Sequence, residues 1–382
     1  MLLGNFVQQP QGYKAFIPGQ FPPKEMLVFS PTVHLTNDRA TLALGKLDGI
    51  AQLIPDIDYF LSTYIQKEAA VSSNIEGTKA TMHDALRADI GMTEYIPEDV
   101  ENIFSYINAI NHGVAAVQDS PLTLRIIRQV HEKMMKNTRE GIGKTPGEIR
   151  KTQNWIGGTR PENALFVPPP AHELPRALSD IEKFLNLPQP YSPLIKAALL
   201  HAQFETVHPF LDGNGRTGRM LVTMFLWHRR LLEMPVLYLS TYFKKHQETY
   251  YEKLNAYHSE NGNVEEWVEF FLDGVIDIAN SSIETCRKIT ELRERDMRKA
   301  QKLGKATAPK TLDMIRFLYK MPTVGIADVV NQTRYSRPSA YKLIDRLVDM
   351  NILYPADEND GYGKKYTYKD YVEVFAEDES LG

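Results

Sequence analysis

Apolar positions recur along most of this chain three and four residues apart, the spacing that lines one face of an α-helix. Before that rhythm begins, Pro10, Pro18, Pro22 and Pro23 with scattered glycines predict extended backbone without a regular element over the first ~25 residues. Asn37 and Asp38 are placed to cap a helix carrying Leu42, Leu44, Leu47 and Ile50. Asp56 is placed to open a second through Ile65 and Ala69 that stops at Gly77. Further helices are predicted near 81–89, 98–117, 122–136, 173–186 and 192–207, after Gly215, and over 240–258 and 263–302. Residues 146–170 break the rhythm. There Pro146-Gly147, Gly157-Gly158, Pro161 and Pro168 to Pro170 bracket Trp155-Ile156 and Leu165-Phe166-Val167, a hairpin signature.

The texture changes again after the long helix. Seven basic residues, Arg293, Arg295, Arg298, Lys299, Lys302, Lys305 and Lys310, lead through Gly304 to Pro309, which reads as a charged helix end entering a linker. A separate domain is expected beyond it. Leu312, Ile315 and Leu318 mark one helix, Ile326 to Val330 a second, and Ala340, Leu343, Ile344 and Leu347 a third; Ile352 to Tyr354 and Tyr366 to Tyr368 flank an Asp360-Gly361 turn. Three short helices and a wing resemble a winged helix. In its candidate recognition segment, 331–347, Arg334, Arg337, Lys342 and Arg346 face one acid, Asp345, and Lys364 and Lys365 lie in the wing. Such a basic face suits DNA, whereas the acidic tail Glu373, Glu377, Asp378 and Glu379 leaves a protein partner as the alternative.

Composition narrows the class without naming a function. The 382 residues, 43% hydrophobic, 24% charged and 10% aromatic, supply a large core in two or three domains and exclude disordered and collagen-like chains. With 44 Lys+Arg and 48 Asp+Glu the net charge is −4, so no basic coat covers the whole surface. The single Cys286 cannot form an internal disulfide. No signal-like or membrane-spanning segment is apparent, and a soluble cytoplasmic protein is expected.

The chemistry concentrates at His208-Pro209-Phe210-Leu211-Asp212-Gly213-Asn214-Gly215-Arg216-Thr217-Gly218-Arg219, between two helical segments. Glycines 213, 215 and 218 let backbone N–H groups approach an anion, and a helix starting there adds its positive end. Arg216 and Arg219 offer planar forks for phosphate oxygens. Asp212 is a hard oxygen ligand suited to magnesium, and His208 titrates near neutrality, as a general base should. The run matches in full the signature H-P-F-x-[D/E]-G-N-G-R-x-x-R, and so the chain resembles the Fic (Fic/DOC) family. Two other patterns carry less. Gly143-Lys144-Thr145 imitates the end of a nucleotide-binding P-loop but lacks the first glycine, since position 138 is Thr138. His201, Glu205 and His208 share a helix face that could hold zinc, which would leave the glycine and arginine run unexplained.

The resemblance implies a protein adenylyltransferase: AMP passes from ATP to a Ser, Thr or Tyr hydroxyl of a target protein or of the chain itself. His208 would be the base and Asp212 would hold Mg²⁺. Gly213, Asn214 and Gly215 would form the anion hole, with Thr217 and Gly218 beside the nucleotide, Arg216 on the β-phosphate and Arg219 on the γ-phosphate. It also makes the 146–170 hairpin the family's flap, whose edge can register an extended target by strand addition, and Lys245 a nucleotide contact. Upstream, Ser72-Ser73-Asn74-Ile75-Glu76-Gly77 fits the family's inhibitory pattern [S/T]-x-x-x-E-[G/N], with Ser72 and Glu76 on one helix face. Glu76 would pair with Arg219 and take the place of the γ-phosphate. The expected architecture is therefore mainly α: residues 1–95 with the inhibitory helix, a Fic helical core over 96–303 with a β-hairpin flap, and a winged helix over 310–382. Removal of AMP at the same site, and a nucleotide-sensing DNA-binding regulator, stand as alternatives. Homodimerisation is left open.

Overall fold

A computed structural model describes residues 3–54, 57–89, 96–188, 190–258, 262–356 and 364–376. The chain opens with an antiparallel hairpin, β1 (Gly4–Gln8) and β2 (Lys14–Pro18), in which Phe6 lies opposite Phe16. This corrects the expectation of irregular backbone. Pro10 sits in the turn and Pro18 ends β2, so neither proline removes a hydrogen bond from the ladder.

Helix α1 (Pro31–Ala51) starts earlier than expected, because Ser30 caps it by accepting from Val33 N, with Pro31 at the first helical position. Asn37, expected as the cap, is buried inside the helix and its Oδ1 accepts from Ser192 Oγ at 2.6 Å. Then follow α2 (Ile57–Ile75), α3 (Met82–Asp89), α4 (Val100–Ala116) and α5 (Leu124–Met135). Asp56, the Asp360-Gly361 turn and the acids Glu377, Asp378 and Glu379 lie outside the described residues.

The flap region is a hairpin in outline only, joined by one antiparallel bridge, Ile156 with Phe166. Pro161 and Pro168 to Pro170 have no N–H to extend the pairing. Phe16 N of β2 donates to Val167 O, which lays the opening hairpin against the flap.

Next come α6 (Leu174–Asn186) and the central pair, α7 (Pro193–Val207) and, after a short loop, α8 (Asn214–His228). Every residue of α7 from Leu194 to Val207 is buried, so this helix is core on all sides. The expected helix over 240–258 is divided at His246 into α9 (Ser240–Lys245) and α10 (Gln247–Tyr257). The 38-residue α11 (Val264–Gln301) packs along α1 and α7. Its buried Trp267 donates through Nε1 to Ala198 O of α7 at 2.8 Å.

Beyond it come α12 (Ala308–Lys320), β3 (Thr323–Gly325), α13 (Ile326–Thr333), α14 (Arg337–Asp349), β4 (Tyr354–Pro355), β5 (Lys365–Thr367) and α15 (Lys369–Ala376). The strands form an antiparallel sheet in the order β3-β5-β4. This unit is seated on the rest of the molecule: α12 packs on α2 and α11, and Tyr371 donates to Thr63 Oγ1 at 3.2 Å. Among the described residues no helix is long and apolar enough to cross a membrane.

The seat centres on Asp296 of α11, which is fully buried. It accepts from Tyr368 at 2.7 Å and Arg295 at 2.8 Å and pairs with Lys299 at 3.0 Å. Asp296→Ala is expected to cost about 1–3 kcal/mol by leaving these donors unmatched. Thermal unfolding and limited proteolysis check it, with cleavage between Gln301 and Ala308 expected to speed up.

Candidate functional site

The sharp turn from α7 to α8 is made by two left-handed residues. His208 ends α7 at φ 46°, and Gly213 opens α8 at φ 72°. A side chain at Gly213 would be strained by that angle and would press on Met134 Cε at 2.8 Å. Between them the backbone is fastened from several directions. Asn214 Oδ1 accepts from Phe210 N and its Nδ2 donates to Phe210 O, both at 2.9 Å. Asn154 Nδ2 donates to the same carbonyl at 2.9 Å.

Two further residues, outside the signature, complete the lock. Buried Arg150 donates from Nε to His208 O at 2.9 Å, from Nη2 to Pro169 O at 2.6 Å and from Nη1 to Thr152 O at 3.1 Å, so one guanidinium ties the motif loop to both ends of the flap. His131 of α5 accepts from Gly147 N on Nδ1 and therefore carries its proton on Nε2, which donates to Asp212 O; both distances are 2.9 Å. Burial pushes its pKa down to about 4, and its ring stacks on Phe210 at 3.7 Å. Their contacts to the motif loop reach across 58 and 81 positions of sequence, where local pattern gives no signal.

This loop forms one wall of a cavity of about 420 Å³. His208, Gly215 and Arg219 face Glu76 across it; Trp155, Ile156 and Phe166 of the flap and Tyr250 and Tyr251 of α10 close its sides. Burial, with help from Arg150, lowers the His208 pKa to about 4, so its imidazole is neutral at physiological pH and able to accept a proton. Arg219, on α8 and nearly fully buried, donates from Nε to Ser72 Oγ and from Nη2 to Ser72 O and Glu76 Oε1, all at 2.8 Å. Burial alone would raise the Glu76 pKa, but Arg219 outweighs it and holds the carboxyl below its ordinary value. A Cβ at position 215 would overlap Glu76 Oε1, so glycine here leaves room for the carboxylate beside Arg219.

Other residues singled out in the sequence point elsewhere. Arg216 is buried and ion-paired with Glu140 at 2.5 Å, whose second oxygen accepts from Asn102 at 2.8 Å; it does not line the cavity. Thr217 gives its hydroxyl to Gly213 O at 2.8 Å, and Gly218 faces Phe204 and Glu205 where α7 and α8 cross. Lys245 is exposed on α9 and is not part of the lining; Tyr250, Tyr251 and Asn255 of α10 hold the position expected of it. Gly77, at φ 99°, follows the end of α2. Asp212 is half-exposed, with Oδ1 accepting from Gly213 N at 2.8 Å and Oδ2 3.7 Å from Lys144 Nζ. His201 is turned to Tyr250 Oη at 2.9 Å, away from any metal set. Among the described residues no group of three His, Cys, Asp or Glu could hold a metal ion by itself.

Residues 121–226 match the model of the Fic/DOC family, and residues 35–115 match that of the Fic/DOC family N-terminal region. The chain is 32% identical over 170 residues to protein adenylyltransferase Fic of Drosophila grimshawi, covering 44% of this chain and 30% of that one. It is 30% identical over 154 residues to the protein of that name from Culex quinquefasciatus, covering 40% and 27%. The matched region thus spans less than a third of these relatives. In fold the chain is similar to a Fic family protein of Desulfovibrio desulfuricans, with a TM-score of 0.57 at 18% identity over 91% of this chain and 98% of that one. A Fic domain containing signaling protein of Bacteroides thetaiotaomicron gives 0.51 at 18% identity, over 65% and 97%. Residues 35–115 and 121–226 thus carry the two regions of the Fic/DOC family in sequence, and the helical arrangement of the chain is shared with a Fic family protein.

Proposed function

We propose that the protein transfers AMP from ATP to a Ser, Thr or Tyr hydroxyl of a target protein or of itself, and that Glu76 restrains it from within the same chain. One observation carries the reading: a neutral base, His208, shares a cavity with a buried arginine fork whose phosphate-like partners are Ser72 and Glu76. The name protein adenylyltransferase borne by the relatives supports the same reaction.

In the proposed step His208 takes the acceptor proton as the acceptor oxygen bonds to the α-phosphorus and pyrophosphate leaves. Backbone N–H groups of Gly213 to Gly215, at the positive end of α8, would meet the phosphate charge. Arg219 would turn from Glu76 to the γ-phosphate, and Arg216 would have to leave Glu140 to reach the β-phosphate. Asp212 fits a magnesium site because its Oδ2 is half-exposed beside the loop. With no all-protein cage among the described residues, waters and phosphate would complete the shell. Such an ion supplies neutralisation of phosphate charge.

Residues 308–376 read best as a winged helix, from the order helix, strand, helix, helix, two strands, with α15 following the second strand. Arg334, Arg337 and Lys342 are all exposed along α13 and α14, which favours a second role in binding duplex DNA. Arg337→Ala and Lys342→Ala are each expected to weaken binding and to reduce the salt slope by about 1, read from titrations at several salt concentrations.

With α-labelled ATP and Mg²⁺, Glu76→Gly is expected to raise label incorporation at least ~10-fold over wild type, and His208→Ala in that background to abolish it while nucleotide binding persists. Equal incorporation in wild type and Glu76→Gly would overturn the restraint. Release of AMP from modified protein without ATP consumption would instead favour the reverse reaction. Because Glu76 titrates below its ordinary 4.5, the pair stays ionised as the pH falls to about 5.

A further inference from the structure

Three residues before His208, Glu205 brings a second carboxyl group to the same cavity. It is 7% exposed, and its Oε1 has no hydrogen-bond partner. Oε2 lies 3.7 Å from His208 Nδ1, and the Glu205 main-chain carbonyl lies 3.3 Å from that same nitrogen. On the other side α8 makes room for it, since a Cβ at Gly218 would overlap Oε1. Burying an incompletely bonded carboxyl is costly, and an apolar side chain of similar size would pack between these helices without that cost.

We propose that Glu205 is the positioning residue of the proton transfer: with its own main-chain carbonyl it keeps the proton of neutral His208 on Nδ1, leaves Nε2 bare for the acceptor hydroxyl and, once ionised, offsets the charge of the imidazolium that forms. This rests on the AMP-transfer reading. The acceptor proton moves to Nε2, both ring nitrogens then carry hydrogen, Glu205 gains and loses nothing, and the added proton returns to solvent after the product leaves. The logic is that of a base backed by a carboxylate.

The groups facing Glu205 set when it acts. Burial pushes its carboxyl up to about 8, Arg219 of α8 pulls it down, and Glu76 of α2 raises it; His208 of α7 and Tyr250 of α10 complete the surround. Its folded pKa lies above its unfolded value. The protonated form is therefore the stable one in the fold, and stability is lost as pH rises through the interval up to about 8.

Nitrogen-15 spectra of labelled histidine in the full chain test the arrangement, with His208→Ala assigning the signal. The wild type is expected to carry the proton on Nδ1 and to show a step in that resonance with a midpoint near 8, absent in Glu205→Gln. A proton on Nε2, or the same step in Glu205→Gln, overturns the proposal. In the Glu76→Gly background, Glu205→Gln is expected to lower kcat at least ~10-fold with KM for ATP unchanged; an unchanged kcat overturns it. Above about pH 7 the melting temperature of Glu205→Gln should equal or exceed that of wild type, since a penalised ionisation has been removed. A lower value together with lost kcat would reveal a packing role and also overturn it. If Glu76→Gly alone transfers no AMP, the activity reading fails, while the resonance still decides whether Glu205 holds His208.

Discussion

The guanidinium of Arg219 is the constraint around which this molecule is arranged. It is 4% exposed, and a buried cation must be met by charge and by hydrogen bonds or it destabilises the fold. Ser72 of α2 and Glu76 just past its end meet it from a segment distant in sequence. That requirement fixes the end of α2 against the start of α8, where Gly215 leaves room for the Glu76 carboxylate. The same face of α2 carries Glu68, which accepts from Tyr106 of α4 at 2.8 Å and Ser240 of α9 at 2.5 Å, and burial pushes its carboxyl up to about 7. At the far side Gln247 Nε2 of α10 donates to Ile75 O at 3.3 Å. The contacts that meet Arg219 and those that hold the surrounding helices together are thus one set.

The loop beside Arg219 is held with a different economy. Its carbonyls and amides are bound by Arg150, Asn154, Asn214 and His131, which leave little freedom for the left-handed His208 and Gly213. A group that accepts a proton, and amides aimed at a phosphate, act best when they need no rearrangement at the moment of reaction. Arg216 is the exception, since its charge is matched by Glu140.

Helices with a clear apolar face, such as α5 and α6, were legible from spacing, and so was the loop whose glycines and arginines stand within twelve positions of one another. What was not legible depends on partners distant along the chain. Ser30 rather than Asn37 caps α1 because Asn37 is engaged by Ser192. The opening hairpin forms where prolines suggested none, since Phe16 gains a partner in Val167 of the flap. Lys245 belongs to a helix that ends at His246, and its exposed side chain leaves the cavity wall to α10.

By itself the sequence determined the chemistry available: one histidine, two arginines, an acid and three glycines spaced so that a helix begins on an anion-binding turn, and a Ser-Glu pair on one face of another helix. These depend on local geometry, which spacing encodes. The tertiary structure decided which of them face one another. It gave Arg219 to Glu76 and Arg216 to Glu140, and it brought Glu205 beside His208 in the wall of the cavity. Burial and the partners it forces on each charge, set by packing across the whole chain, made that selection.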